Sequence, residues 1–293
     1  MILKNREGLE EYYIPEDWYK NRAPGISAMI RVKDEEEWIG PCLESILPFF
    51  DEIIIGLDGS DRTRDIIKSF HAAKIKVFDY PYFLWSVDGK SYPDSIHDRA
   101  YYSNWLLSKT TKQIICKWDG DMVMLPCAYE DGLKLIAEKK NVVRICGYNP
   151  IAIDPVFILS RFKPMDQFEV RFFKINKHLF FIQNNEEGSL ENGVPLPVAQ
   201  YEKFTYDMTG MTKVFNPINW IKTSSSLHCY RIKNFITKQD KYVKKPMFIH
   251  TKYLKKNLRK DRKADWHDKA MKPGNVLDIN LPKYMLKKPE DYL

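Results

Sequence analysis

The sequence has no apolar run near the roughly 18–20 residues that cross a bilayer, no internal repeat and no low-complexity tract. Residues 1–11 are polar and charged, which argues against a secretory signal. Its five cysteines are widely spaced and include no CxxC pair, so we expect neither a disulfide framework nor a zinc ribbon. These absences predict a soluble protein of a reducing compartment such as the cytoplasm.

The composition of the 293 residues is ordinary for a globular protein, with 44% apolar and 29% charged residues. The net charge of +7 is concentrated in residues 231–263, which hold 13 Lys/Arg and 2 Asp/Glu, whereas the remainder holds 33 and 37. Aromatic residues interleave with these basic ones, a mixture that suits contact with nucleic acid. Three alternatives stay open: the segment contacts an anionic membrane surface, it contacts a donor diphosphate, or it is simply a solvated face.

Short apolar runs alternate with helical patterns along the first half of the chain. Strands are predicted at residues 26–32, 51–57, 76–80, 113–118 and 142–146, and helices at 38–47, 63–70, 99–107 and 133–139. Two further strands, joined near Asn176, are predicted in the aromatic stretch that follows. The order predicts an α/β fold whose central sheet is mostly parallel and flanked by helices.

Asp119-Gly120-Asp121 follows the strand predicted at 113–118. Open α/β sheets bind ligands beyond the carboxyl ends of their strands. Two carboxylates separated by a glycine can share a Mg²⁺ or Mn²⁺ ion, because these ions prefer oxygen ligands and often bridge a carboxylate to a diphosphate. A solvated turn is the alternative, since Asp and Gly are common turn residues.

Two other acidic turns follow predicted strands. Asp58-Gly59-Ser60 comes after the second strand, where Asp58 could bind a ribose or base, or cap the next helix. Lys33-Asp34-Glu35-Glu36 comes after the first strand and is otherwise the acidic start of a solvated helix. Since the carboxyl ends of parallel strands lie at one edge of the sheet, the three turns together favour a ligand site.

These motifs resemble those of inverting glycosyltransferases of the GT-A fold, family 2 type, over residues 25–190. The matching segments are Lys33 to Glu36, Leu43-Glu44-Ser45-Ile46, Asp51-Glu52-Ile53-Ile54-Ile55, Asp58-Gly59-Ser60, Asp61-Arg62-Thr63, and Asp119-Gly120-Asp121 as the DXD motif. The chain lacks one residue that usually stands between Ser60 and Asp61. It has Ser103-Asn104 where the family often has Arg-Asn, and Arg99 is a candidate substitute for that basic residue.

The resemblance implies a GT-A domain with a C-terminal extension on the acceptor side. Its parts would be an N-terminal extension (1–24), a nucleotide-sugar-binding half (25–150), an acceptor-side half (151–230) and a basic C-terminal segment (231–293). The implied enzyme uses Mn²⁺ or Mg²⁺ to transfer a sugar from a nucleotide sugar, most often a UDP-sugar, to an acceptor hydroxyl with inversion. The acceptor would be a glycan, a lipid-linked glycan or a modified DNA base.

The resemblance also implies roles for individual residues. Donor binding would involve Arg31, Asp34, Glu35, Asp58, Asn104 and Asp119. The metal would be held by Asp119, Asp121 and, as third ligand, His250, with His228 as the next candidate. The catalytic residues would be Asp121 and a general base, Glu187 or Glu186, which follow Arg171-Phe172-Phe173; Glu169 and Asp207 are rivals.

Two other classes of function stay open. A nucleotidyltransferase would need a glycine-rich loop bearing Lys or Arg after the first strand, and this sequence has none there. A non-catalytic protein would bind nucleic acid or a membrane surface through residues 231–263, with the salt dependence typical of phosphate contacts.

Overall fold

The computed structural model describes residues 4–82, 94–125, 142–148, 150–152, 157–160, 169–175, 179–185, 190–191, 194–195, 200–206, 241–250, 273–277 and 283–293. The α-helices are α1 (Ile39–Ile46), α2 (Thr63–Ser69) and α3 (Arg99–Lys109). The strands are β1 (Ala23–Lys33), β2 (Glu52–Asp58), β3 (Ile75–Asp79), β4 (Lys112–Asp119), β5 (Met122–Met124), β6 (Val142–Tyr148), β7 (Pro150–Ala152), β8 (Phe157–Ser160), β9 (Glu169–Lys174), β10 (Leu179–Asn185), β11 (Leu190–Glu191), β12 (Val194–Pro195), β13 (Gln200–Tyr206), β14 (Lys241–His250) and β15 (Pro273–Leu277).

One sheet of eight strands forms the centre of the protein, in the order β3-β2-β1-β4-β9-β6-β14-β5. Strands β3, β2, β1 and β4 are mutually parallel, as are β6 and β14. Strands β9 and β5 run antiparallel to their neighbours. The predicted fold class is therefore confirmed: the protein is α/β, with a mostly parallel central sheet flanked by helices.

The two faces of the sheet carry two apolar cores, because successive strand side chains point to opposite faces. In β1, Ala28 and Ile30 pack with residues of α1 and α2. Met29, between them, packs on the other face with Trp105 and Leu106 of α3. The resulting helix–sheet–helix sandwich leaves ligand access at the ends of the strands rather than on the faces.

The N-terminal segment before β1 adds to the α3 side of this sandwich. Tyr12, Ile14 and Trp18 are buried in the same core as Trp105, and Tyr101 Oη donates to the carbonyl of Tyr12 at 2.9 Å. Within the described residues, no helix is both long and apolar enough to cross a membrane.

The second half of the chain contributes to the same sheet. The two strands predicted around Asn176 are present as β9 and β10, but they belong to different sheets, since β9 lies between β4 and β6 whereas β10 pairs with β13. Residues 241–250 of the basic segment form β14, an interior strand between β6 and β5. The helix predicted at 133–139 lies outside the described residues.

Candidate functional site

The carboxyl ends of β1, β2 and β4 meet at one edge of the sheet. In β1, Lys33 is in register with Asp58 of β2, and Arg31 is in register with Asp119 of β4. The three acidic turns singled out in the sequence therefore follow three adjacent parallel strands. This is the position at which open α/β sheets bind their ligands.

The turn after β1 interlocks with the loop after β2. The Asp34 Oδ1 atom accepts from the Ser60 amide at 3.0 Å, while the Glu35 amide donates to Thr63 Oγ1 at 2.8 Å. The Asp34 backbone has a φ of +49°, a left-handed conformation that Asp tolerates better than most residues. Helix α1 begins only at Ile39, so residues 34–37 form a turn and are not the acidic start of a helix.

Gly59 makes this interlocking possible. Its φ is +144°, and a Cβ there would lie 2.7 Å from Asp34 Oδ1. A side chain at this position would therefore force apart the two loops that form the edge of the site. Glycine in the Asp58-Gly59-Ser60 motif is required by backbone conformation and by close approach together.

Asp58 faces a lysine and does not cap the following helix. Its Oδ2 atom accepts from Lys33 Nζ at 2.6 Å. The amide of Thr63, the first residue of α2, instead donates to Asp61 Oδ1 at 3.0 Å. Asp61 and not Asp58 therefore binds the first amide of α2, and the Asp58 carboxylate lies at the sheet edge beside a cation.

The DXD motif forms the tight connection between β4 and β5. The Trp118 Nε1 atom donates to the carbonyl of Met122 at 3.0 Å, a hydrogen bond that links the two ends of the turn. A Cβ on Gly120 would lie 3.2 Å from Val32 and 3.4 Å from Glu35 Cγ, so the turn after β1 packs directly across this glycine. Asp121 is 7% exposed.

Asp119 is held by an arginine from a distant strand, a pairing that the sequence motifs do not predict. Arg171, on β9, is 1% exposed and its Nη1 atom donates to Asp119 Oδ2 at 2.8 Å. The same Nη1 atom donates to the carbonyl of Lys117 at 3.3 Å. The sequence feature that could have indicated this ion pair is the single arginine in the apolar run from Val170 to Phe173. A charge in such a strand needs a partner.

The buried thiol of Cys42, on α1, lies beside the DXD turn. Burial raises its pKa well above the ordinary value, and the nearby charges of Asp121, Glu35 and Asp119 raise it further. The Cys42 Sγ atom lies 3.6 Å from the Asp119 carbonyl oxygen. The thiol is consequently kept protonated and unreactive.

The candidate metal ligands come from two parts of the chain. Among the described residues, no group of three or more His, Cys, Asp or Glu is arranged to hold a metal ion. His250 is the last residue of β14, and its backbone is paired with that of Met122, directly after Asp121. The register thus places a residue 129 positions away in sequence next to the DXD turn.

The remaining donor candidates lie on the α3 side of this edge. Arg31 Nη1 donates to Ser103 Oγ at 3.0 Å. The Asn104 amide is engaged with the backbone of β10: its Nδ2 donates to the Phe181 carbonyl at 2.9 Å and its Oδ1 accepts from the Phe181 amide at 2.7 Å. Asn104 therefore holds strand β10 against α3, a contact that the sequence did not reveal.

The remaining predicted residues lie mostly outside the part of the chain that the structure describes. They are Glu186, Glu187, Asp207 and His228, together with residues 231–240 and 251–263 of the basic segment. Of Glu169, which opens β9, the backbone is described.

Comparisons with known proteins identify similar structures only. No protein-family model matches the chain, and no curated protein matches it. The structure of S. aureus TarS 1–349 aligns with a TM-score of 0.39 and 13% identity, over 78% of this chain and 60% of that chain. A mycobacterial protein aligns with a TM-score of 0.31 and 24% identity, over 46% and 44% of the two chains.

A third similar structure is 4-diphosphocytidyl-2C-methyl-D-erythritolsynthase from Anaerococcus prevotii, with a TM-score of 0.31 and 17% identity, over 52% of this chain and 70% of that chain. The present chain spans 60% of the TarS structure's length. With TM-scores below 0.5, none of these similarities carries a conclusion about activity.

Proposed function

We propose that the protein is a metal-dependent glycosyltransferase that moves a sugar from a nucleotide sugar, a UDP-sugar in the first instance, to an acceptor hydroxyl with inversion. One observation carries the proposal. The turn after β1, Asp58 and the Asp119–Asp121 turn meet at the carboxyl ends of adjacent parallel strands, as a nucleotide–metal site requires. The sequence resemblance supplies the reaction type.

The donor nucleoside would lie between the turn after β1 and the loop after β2. In this arrangement Asp58 accepts hydrogen bonds from the ribose or base, while Lys33 Nζ holds its Oδ2 atom in place at 2.6 Å. Asp34 and Glu35 shape the pocket, because their contacts with Ser60 and Thr63 fix both loops before any ligand arrives. Such preorganisation lowers the entropic cost of binding.

The residues at the DXD turn fit a Mg²⁺ or Mn²⁺ ion. These ions are commonly held by one or two carboxylates together with substrate phosphates and water. Asp121 would bind the ion directly, and Asp119 would orient toward the ion and the ribose while Arg171 fixes its second oxygen. His250 is the third ligand in this proposal, supported by its pairing with Met122. Once bound, the ion would neutralise the charge that develops on the departing diphosphate.

The acceptor side remains a proposal from the resemblance. Glu187 or Glu186 would take the proton from the acceptor hydroxyl as it attacks the anomeric carbon. The acceptor would be a glycan, a lipid-linked glycan or a modified DNA base. Strand β14 brings part of the basic segment into the sheet, next to the DXD turn, so that segment and the donor site share one framework.

A thermal-shift screen of UDP, other nucleoside diphosphates and their sugar conjugates, with and without Mn²⁺, tests the proposal. A ligand that binds the folded state at 100 times its Kd stabilises it by about 2.7 kcal/mol. At about 2–4 °C per kcal/mol, the melting temperature should rise by roughly 5–11 °C. EDTA should remove the shift. If no nucleotide raises the melting temperature with or without Mn²⁺, the proposal is wrong.

A further inference from the structure

The last eleven residues fold back onto the helices that flank the donor site. Residues 283–293, here called the C-terminal clasp, form two 3₁₀ turns, Lys283–Leu286 and Pro289–Tyr292. The first turn packs against α1, and its Met285 is 2% exposed. Next to it, Tyr284 Oη donates to the carbonyl of Met124 at 3.5 Å, so the clasp also contacts the strand that follows the DXD turn.

The second 3₁₀ turn is anchored by Tyr292. Its ring stacks on Phe70 at the end of α2, with centroids 5.7 Å apart. The ring also lies against Gly40 in the first turn of α1, where even a Cβ would overlap it. An ion pair between Lys287 and Glu44 adds a second contact between the clasp and α1. The Tyr292 ring can therefore pack against α1 only because residue 40 has no side chain.

A chain of charges connects the clasp with the turn after β1. Glu290 Oε1 accepts from Arg62 Nη2 at 2.9 Å. The Nε atom of the same arginine donates to Glu36 Oε2 at 3.1 Å, and the Arg62 amide donates to that oxygen at 3.2 Å. Arg62 lies in the loop after β2, so one guanidinium joins both donor-site loops to the C-terminus.

We propose that the C-terminal clasp is a positioning element of the donor site, an inference that rests on the proposed function. It braces the site at two places, the turn after β1 through Glu290 and Arg62, and the strand after the DXD turn through Tyr284. Isolated surface ion pairs contribute little, but here they act on a turn whose Asp34 has a left-handed backbone and on loops that must be ordered to bind a ligand. Releasing the clasp should loosen the loops before it affects the sheet.

The test uses variants at both ends of the connection. Glu290→Gln removes the charge that holds Arg62, and Tyr292→Ala removes the ring that anchors the second turn. Gly40→Ala displaces that ring from the other side, and the double variant Gly40→Ala/Tyr292→Ala checks that the overlap is the cause. Glu16→Gln, on the exposed part of the N-terminal segment, is the matched control.

Amide hydrogen exchange, measured without ligand, reports on the loops themselves. We expect faster exchange at residues 34–37 and 58–63 in the clasp variants, no change at residues 53–55 in the buried strand β2, and no change anywhere in the control. Gly40→Ala should raise the exchange rate of both loops in the otherwise unaltered protein. The same change should raise it less in the Tyr292→Ala variant, where the ring is already absent. Unchanged exchange at both loops in Glu290→Gln and Tyr292→Ala would overturn the inference.

Calorimetric titration with UDP and Mn²⁺ then tests the consequence for binding. The clasp variants should bind UDP about fivefold more weakly or worse, the lower end of usual coupling energies between sites. A variant with faster loop exchange and unaltered UDP affinity overturns the positioning role alone. If the unaltered protein binds neither UDP nor any other nucleoside diphosphate with Mn²⁺, the proposed function fails and the positioning role falls with it, whatever the exchange data say of the clasp.

Discussion

The pair between Arg171 and Asp119 should be one of the most costly interactions to break in the central sheet. The arginine is 1% exposed and its partner oxygen is 2.8 Å away, while the Asp119 side chain is 29% exposed. Replacing Asp119 removes the carboxylate that pairs with the buried arginine charge, and breaking a buried ion pair in this way costs about 3–5 kcal/mol. For a protein of this size class, that is a fall of roughly 6–20 °C in melting temperature.

Chemical denaturation of four proteins measures the interaction: the unaltered chain, Arg171→Met, Asp119→Asn and the double variant. Asp119→Asn should be strongly destabilising and Arg171→Met less so, because the Asp119 carboxylate is partly exposed. The double variant should be more stable than the sum predicts, with a coupling energy of about 1–3 kcal/mol. Arg64→Met is the control, because Arg64 pairs with Asp79 on the surface and such pairs contribute about 0–1 kcal/mol. Single changes that add to within about 0.5 kcal/mol would refute the reasoning.

Two further predictions concern contacts away from the Asp119–Asp121 turn. Burial alone would raise the pKa of Glu52, but hydrogen bonds from Ser27, Thr111 and Lys76 outweigh it and hold the pKa below the ordinary value. Glu52→Gln should therefore lower the free energy of unfolding at neutral pH. The difference in free energy of unfolding between Glu52→Gln and the unaltered chain should shrink as the pH falls from the ordinary glutamate pKa, about 4.3, through the lower folded value. If urea unfolding gives a difference that does not depend on pH, the charge of Glu52 is not its source. Asn104→Ala should remove both hydrogen bonds to the backbone of Phe181 and make strands β10 and β13 more sensitive to limited proteolysis. Ser108→Ala, on the same helix, is the control. Equal cleavage rates in the two variants would show that the Asn104 amide does not hold the strand.

The sheet edge was predictable because its strands are buried on both faces. Such strands appear in the sequence as short, nearly continuous apolar runs, as in residues 26–32 and 52–57. The first run is followed by an acidic turn that begins at Asp34, and the second by Asp58-Gly59-Ser60. Once the strands are taken as parallel, the meeting of the three acidic turns follows from topology alone.

The partners of those turns were not predictable, because they come from distant parts of the chain. Arg171 is 52 positions from Asp119, on the antiparallel strand β9 that is inserted between β4 and β6. Glu290 is 228 positions from Arg62. No local periodicity reports such pairings, since the sequence specifies them only through the packing of the completed sheet.

The basic segment shows how charge can hide a strand. Lys241, Lys244 and Lys245 gave residues 241–250 the composition of a solvated or ligand-binding surface, although the apolar run Met247-Phe248-Ile249 was present. The structure makes this stretch an interior strand, and Ile249 is fully buried. Composition averaged over 33 residues concealed a pattern only ten residues long.

Metal-dependent donor binding by Asp121 variants tests the central claim most directly. Calorimetric titration with UDP, with and without Mn²⁺, would compare the unaltered chain with Asp121→Asn and with Asp65→Asn, an exposed residue of α2. We predict Mn²⁺-dependent binding in the unaltered chain and in Asp65→Asn, and its loss in Asp121→Asn. Equal Mn²⁺-dependent affinity for UDP in all three proteins, or binding indifferent to EDTA, would contradict a donor site built around this carboxylate.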